Sequence, residues 1–265
     1  QAPFGLGGVM KGAGGLSASE LPRLEYFLRY AVGVYGWRML SLIHPQQFHA
    51  EGGFSFQDET AFRSYAGVEL CDVIKIRFRS ETFRPAYALC VDHPRQCVVL
   101  AVRGSLDPAD FLTDAVAYSL PFYDRRGRVA GSAHMGMLRA AEELLDEVRV
   151  PLLAAMRRHR GYELRMCGHS LGAGCAALMA ALLKHRESFP HRFGAYAFAC
   201  PPVADKALSE SLQGEVTSVA AGDDVVCRLS LRALAELGKR AGSQARGAIV
   251  EMLRGEAERG PRGDE

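Results

Sequence analysis

The chain has 265 residues, 48% of them hydrophobic, with 32 Lys and Arg against 30 Asp and Glu. That supplies one α/β-sized core and demands no second domain. A net charge of +2 spread along the sequence leaves no nucleic-acid footprint, and no uncharged run of about eighteen apolar residues marks a transmembrane helix.

The first residue is Gln1 rather than Met, so the sequence reads as a piece of a longer protein, and no signal peptide is identified within it. Residues 1–18 form a glycine-rich leader. Gly5-Leu6-Gly7-Gly8 has no strand before it, which argues for a flexible segment over a phosphate loop. The unit 19–50 carries a helix with Ser19 as N-cap and Pro22 in its first turn. Leu24, Phe27, Leu28, Ala31, Val32, Tyr35, Met39 and Leu42 recur at helical spacing along it. Tyr26, Arg29, Tyr30, Trp37 and Arg38 flank that face, which leaves two readings: a helix packed on the domain, or one lying near a membrane surface.

Residues 51–253 read as one α/β domain, incomplete at its C-terminal side. Strands are predicted at Val73–Phe78, Ala86–Val91, Cys97–Val102, Tyr162–Cys167, Gly194–Cys200 and Val216–Ala221. From Cys97 onward they alternate with helical patterns, the signature of a largely parallel sheet covered by helices. One such pattern runs Met137, Leu138, Ala141, Leu144, Leu145, Val148, and Pro151 is expected to break or restart it. Ser230 to Leu253 can form a basic helix, and 254–265 is a charged tail too poor in hydrophobics to order itself.

Seven cysteines (Cys71, Cys90, Cys97, Cys167, Cys175, Cys200, Cys227) lie mostly in apolar runs and read as buried free thiols of a reducing compartment. No Cys/His cluster has the spacing of a zinc site.

The chemistry centres on Gly168-His169-Ser170-Leu171-Gly172. The bare pattern is weak. Here, however, it sits between the strand Tyr162–Cys167 and a helix of small residues from Ala173 to Leu183, which is the setting of a nucleophile elbow. In such a turn the serine backbone is strained and Oγ stands above the sheet edge. The two glycines let strand and helix approach, and the Leu171 N–H faces a developing oxyanion. An acid is expected after a later strand, where Val216–Ala221 runs into Gly222-Asp223-Asp224, so position alone leaves Asp223 and Asp224 as alternatives, with a solvated turn aspartate as the plain reading.

A resemblance then becomes specific. Val102-Arg103-Gly104-Ser105, Asp110-Phe111-Leu112-Thr113-Asp114, His134-Met135-Gly136, the serine elbow and Asp224-Val225-Val226-Cys227-Arg228-Leu229 follow one another as in the class 3 (fungal-type) lipase domain, over about residues 70 to 235. The Gly222-to-Ser230 run and the Ala199-Cys200-Pro201-Pro202 turn resemble, within that class, the sn-1-specific diacylglycerol lipases and their plant and protist relatives. The resemblance implies an α/β-hydrolase fold with Ser170 as nucleophile and Asp224 as acid. It also implies Ser105, with Leu171, as the oxyanion residues, structural roles for His134 and His169, and a loop-organising position for Asp114. Leu106 to Arg126 corresponds to the lid-bearing segment, with Phe111, Leu112, Leu120, Phe122 and Tyr123 suited to an apolar substrate rim.

One departure stands out. The family's base is a histidine C-terminal to the acid, and all eight histidines here (His44, His49, His93, His134, His159, His169, His185, His191) precede Asp224. The chain order Ser, Asp, His therefore cannot be completed within it. The simplest reading is that the sequence stops short of the base histidine, and its rival is a catalytically inactive relative that binds lipid or a partner.

The expected function is hydrolysis of a glycerolipid acyl ester, diacylglycerol foremost, with a soluble-substrate esterase as a further alternative. The partners are a lipid substrate and a membrane surface, with no nucleic acid, and the location is membrane-associated, facing the cytoplasm. The chemistry requires no cofactor. Calcium enters through the resemblance alone, since no EF-hand or dense carboxylate loop is visible.

Overall fold

Strand β3 (Cys97–Val102) is buried at all six residues. Val98, Leu100 and Val102 join one hydrophobic cluster, while Cys97, Val99 and Ala101 join a second. Because side chains alternate along a strand, an unbroken apolar run of this kind needs cover on both faces. The computed structural model, which describes residues 20–48, 57–104, 119–187 and 189–220, supplies it.

The sheet also contains β1 (Val73–Arg77), β2 (Tyr87–Asp92), β6 (Glu163–His169), β7 (Phe193–Phe198) and β8 (Val216–Val219), in the order β1-β2-β3-β6-β7-β8. Antiparallel pairing joins β1, β2 and β3, and parallel pairing joins β3, β6, β7 and β8. Helices α5 (Met135–Arg158), α6 (Leu171–His185) and α7 (Lys206–Ser211) cover one face with a hairpin, β4 (Ser119–Tyr123) and β5 (Val129–His134). Helices α1 (Leu21–Gly33) and α4 (Asp58–Ala66) cover the other. This is the mostly parallel, helix-flanked sheet of an α/β-hydrolase. Helix α6 is buried from Gly172 to Leu183, which a helix can sustain only if apolar on every side.

Several details differ from the sequence reading. The N-terminal helix does not run unbroken to Leu42: α1 stops at Gly33, and α2 (Trp37–Ile43) and α3 (Pro45–Phe48) follow. The break is tertiary. Gly36 takes φ +80, and Asp58 at the start of α4 accepts a 2.9 Å hydrogen bond from the Trp37 N–H, where a Cβ on Gly36 would come within 2.3 Å of the same carboxylate. The cap position of α1 is Glu20 and not Ser19, which lies outside the described residues. Helix α1 buries Leu24, Phe27, Tyr30, Ala31 and Gly33 against the sheet, so one face of it packs on the domain. Tyr30 donates a 3.0 Å hydrogen bond to the buried Asp92 at the end of β2, which fastens it there.

Pro151 does not interrupt α5, which runs from Met135 to Arg158. A proline frees the carbonyl four residues before it. That carbonyl, Glu147 O, lies 3.4 Å from Lys75 Nζ on β1, and the Glu147 carboxylate receives Arg77 at 2.8 Å and the Tyr87 hydroxyl at 2.8 Å. The edge strand therefore supplies the hydrogen bond the helix lacks.

The hairpin was not foreseen, since β4 falls inside the expected lid segment. Within it Phe122 is fully buried beneath the Arg186 guanidinium, 4.5 Å from the ring centroid, and belongs to the core and not to a substrate rim. Leu120 and Tyr123 are exposed, and Phe111 and Leu112 lie outside the described residues.

Candidate active site

Ser170 caps α6 with φ 56 and ψ −126, a region that side-chain-bearing residues rarely occupy. The turn is held from three directions. The Ser170 N–H donates to Phe198 O on β7 at 2.9 Å, and the Ser170 carbonyl accepts from the N–H groups of Ala173 and Gly174 at 2.9 and 3.2 Å. The flanking glycines are steric necessities. A Cβ on Gly168 would stand 2.4 Å from Gly172 C, and one on Gly172 would stand 2.2 Å from Val102 O. The end of β3 is therefore flush against the first turn of α6, and Ser170 is presented where the two meet.

The same closeness brings Gly104 beside the Leu171 N–H, the donor expected to face an oxyanion. As the first residue of a helix, Leu171 has an N–H with no acceptor in its own helix, and it faces Gly104, whose hypothetical Cβ would be 3.3 Å from Leu171 N. Ser105 follows Gly104 directly in sequence, but Ser105, Asp114, Asp223 and Asp224 lie outside the described residues. Among the expected site residues the structure describes Ser170 and Leu171, at the start of α6 beside the end of β3.

Tyr35, read from the sequence as one of the apolar positions of a helix, belongs to this site. It sits in the break between α1 and α2, buried, with its hydroxyl 3.2 Å from His169 Nδ1 and hydrogen-bonded by the backbone of Gly104. Burial pushes the phenol up to about 12, against the opposing pull of Gly104 N–H and Arg103, so it stays neutral. The signal in the sequence was Gly36: a helix broken immediately after Tyr35 no longer has to bury that residue as a hydrophobe.

Four other described histidines are engaged away from the serine. His134 caps α5 by accepting from Met137 N–H at 3.3 Å, a structural role as the resemblance implied. His44 meets the Tyr65 hydroxyl at 2.9 Å, His185 meets Ser211 Oγ at 2.9 Å, and His93 meets Asp72 at 3.2 Å and the Tyr162 hydroxyl at 2.9 Å. Cys175, one turn beyond Ser170, is fully enclosed and its thiol is pushed up to about 12 by burial, so it does not compete as a nucleophile. Among the described residues no three His, Cys, Asp or Glu side chains converge on a point that could hold a metal ion, so these residues do not fit a calcium site.

A strained serine between a parallel strand and a wholly buried helix, with a second strand pressed against the turn, has the geometry of the nucleophile elbow of α/β-hydrolases. Residues 99–233 match the family Lipase (class 3), and the chain belongs to that family. It is 29% identical to diacylglycerol lipase-beta of Mus musculus over 242 residues, 84% of this chain and 36% of that protein. It is 31% identical to diacylglycerol lipase-alpha of Rattus norvegicus over 247 residues, 79% of this chain and 23% of that protein. The chain thus spans about a quarter to a third of these mammalian relatives. Among solved structures, a mutant of MDLA from Penicillium cyclopium superposes with a TM-score of 0.61 at 24% identity, covering 83% of this chain and 77% of that one. A triacylglycerol lipase whose catalytic centre is described as a serine protease triad gives a TM-score of 0.63 at 18% identity, again over 83% and 77%; both likenesses concern the fold.

Proposed function

We propose that this protein is a serine lipase that hydrolyses an acyl ester of a glycerolipid, diacylglycerol foremost, to a monoacylglycerol and a free fatty acid. The observation that carries the reading is the backbone of Ser170, strained at φ 56 and enclosed by Gly168 and Gly172. Strain of this kind costs about 1–3 kcal/mol and persists where the surroundings over-determine it, as they do at reacting groups.

In this mechanism Ser170 Oγ attacks the ester carbonyl, and the oxyanion is held by the N–H of Leu171 and by Ser105. A histidine beyond these 265 residues takes the serine proton and passes it to the leaving glycerol oxygen, while Asp224 orients its ring. Water then repeats the attack on the acyl-serine and releases the fatty acid. Placing the base outside the sequence is supported by the chain order, in which no histidine follows Asp224, and by the fraction of its relatives the chain spans.

The substrate side faces a membrane surface. Leu42, 77% exposed, and Ile43 stand on α2, which begins two residues after Tyr35. Exposed Phe83 reaches Gly136 in the first turn of α5, and that turn abuts the first turn of α6 through Met137 and Gly174. No acidic residue occurs between Tyr26 and Ala50, while Arg29 and Arg38 do, a composition suited to an anionic interface. Free Cys90, Cys97, Cys167 and Cys175, all buried, suit a reducing, cytoplasm-facing location.

The test is release of fatty acid from diacylglycerol in phosphatidylcholine vesicles by the full-length protein and its Ser170→Ala variant. Turnover abolished by the substitution supports the lipase. Full-length protein that binds the vesicles but releases no fatty acid would overturn it.

A further inference from the structure

Three loops meet at the end of the sheet opposite Ser170. The β2–β3 turn (residues 93–96), the α5–β6 connection (159–162) and the approach to β7 (190–192) all lie at the N-terminal ends of the parallel strands or beside them. Their contact is direct. Glu163 N–H donates to Gln96 O at 3.2 Å, and Leu164 N–H donates to Arg192 O at 2.9 Å. The rings of His93 and His159 lie 5.3 Å apart, each packed on Tyr162.

With Arg157 and Arg158 from the last turn of α5, this pole gathers Arg95, Arg157, Arg158, Arg160 and Arg192 together with His93, His159 and His191, and no Asp or Glu lies within these segments. The carboxylates around it are already occupied. Glu163 pairs with Arg165, Glu25 with Arg29, and Asp72 with His93, while Asp92 accepts from Tyr30 and from Arg95 N–H. Arg95 lies over the Tyr26 ring, 4.5 Å from its centroid. Arg157, Arg158, Arg160 and Arg192 are exposed and have no ion pair among the described residues. Concentrating like charge at one surface costs stability through self-repulsion, and a counter-charged partner relieves it.

We propose that this pole is a docking surface for an acidic protein segment. Strand β6 has seven residues, so at about 3.3 Å per residue the pole lies roughly 20 Å below the serine. If the substrate enters from a membrane at the serine end, as the proposed function has it, the basic pole points away from that membrane and into solution. The orientation rests on that reading; the charge pattern does not. An acidic polypeptide in solution matches both, and guanidinium groups pair its carboxylates in bidentate fashion.

The experiment measures fluorescence anisotropy of a labelled short poly-L-glutamate titrated with the full-length protein, and in parallel its partition onto phosphatidylcholine vesicles with and without phosphatidylserine. The pole variant carries Arg157→Glu, Arg158→Glu and Arg160→Glu. A matched control reverses the same charge elsewhere, at the exposed Arg126, Arg139 and Lys206. Expected is a loss of polyglutamate affinity of about tenfold or more in the pole variant, with the control close to wild type and the difference shrinking as salt rises. Equal loss in both variants would overturn the proposal, because binding would then follow net charge alone. Unchanged polyglutamate binding with lost phosphatidylserine dependence would overturn it in favour of a membrane contact. Labelling of Ser170 by a fluorophosphonate reports that each variant remains folded, and the binding readout stands whether or not the protein turns over diacylglycerol.

Discussion

The hydroxyl of Tyr35 lies 3.2 Å from Nδ1 of His169, so a residue of the N-terminal segment touches the residue next to Ser170. The same oxygen takes the backbone of Gly104, one position before Ser105. One phenol therefore spans the strand end that leads to the oxyanion residue and the turn that presents the serine.

Tyr35→Phe removes that oxygen and leaves the buried Gly104 donor unmatched, a loss on the order of 1–3 kcal/mol. Part of this appears as stability and part as misplacement of the oxyanion donors. The expected outcome is a fall in kcat of roughly tenfold with KM little changed, because a donor aimed at the transition state and not at the ground state has been disturbed. A fall in melting temperature with kcat intact would show the hydroxyl to be structural only.

Ser170 itself carries a stability prediction. Its backbone sits at φ 56, where glycine is unstrained and a residue bearing Cβ is not. Ser170→Gly should abolish fluorophosphonate labelling and hydrolysis yet leave the melting temperature equal to or above that of wild type. Relief of about 1–3 kcal/mol of strain outweighs or balances the roughly 0.4–1 kcal/mol that glycine adds to the freedom of the unfolded chain. Ser170→Ala, still strained, should lose labelling equally and gain less stability. A clear drop in melting temperature for Ser170→Gly would show that the turn is not strained as described.

How much of this was open to sequence reading depends on whether the cause is local. The elbow is local: strand, glycine, serine, glycine and small-residue helix are contiguous, and Ser170 and Leu171 lie where that order puts them. The alternation of Val98, Leu100 and Val102 with Cys97, Val99 and Ala101 is equally local, and with it the doubly covered sheet. What escaped depends on partners distant in sequence. The helix break at Gly36 needs Asp58, the survival of α5 through Pro151 needs Lys75, and the burial of Phe122 needs Arg186. Tyr35 escaped for the same reason, since its partners lie far along the chain. Ser105 and Asp224 are outside the described residues, so their roles rest on the family pattern.

Gly172→Ala tests the flush contact between β3 and α6. The added methyl would stand 2.2 Å from Val102 O and 2.8 Å from Arg103 C. These are backbone atoms of a buried strand with no side chain to rotate away, so the two elements must separate. A loss of about 3 kcal/mol or more is expected, at the upper end of overpacking effects, read as a collapse in soluble yield or a large fall in the denaturant midpoint. Gly127→Ala, with nothing within 4 Å of its added Cβ, pays only the penalty of its positive φ and serves as the comparison.

Acid stability should depend on Glu147. Burial pushes its carboxyl up, but the Tyr87 hydroxyl, Arg77 and Lys75 outweigh that effect and hold it below the ordinary value of 4.5. A carboxyl depressed in the folded state contributes stability that is fully present above its unfolded value and is lost as pH falls through the folded one. Melting temperature in wild type should therefore fall as pH drops below about 4.5, and Glu147→Gln should lower it at neutral pH while flattening that fall. An unchanged acid limb in the variant would mean that other carboxylates govern it.

The adjacent aspartates provide the sharpest check on the catalytic register. Both follow β8, and position alone does not separate them, whereas the Val225-Val226-Cys227-Arg228-Leu229 run places Asp224 where the family carries its acid. If Asp224 fixes the tautomer of the base histidine, Asp224→Asn leaves the ring oriented by an amide able to hold the wrong tautomer. Turnover should then fall by several orders of magnitude, on the order of 10⁴ as in serine protease triads. Labelling of Ser170 should slow in parallel, because the same base activates the serine toward the probe. Asp223→Asn removes a neighbouring charge without removing the orienting carboxylate, so its cost should stay within about tenfold. The assay is release of fatty acid by full-length protein at saturating diacylglycerol. If Asp223→Asn proves the more damaging change, the register shifts by one residue, and with it the position from which the histidine is held.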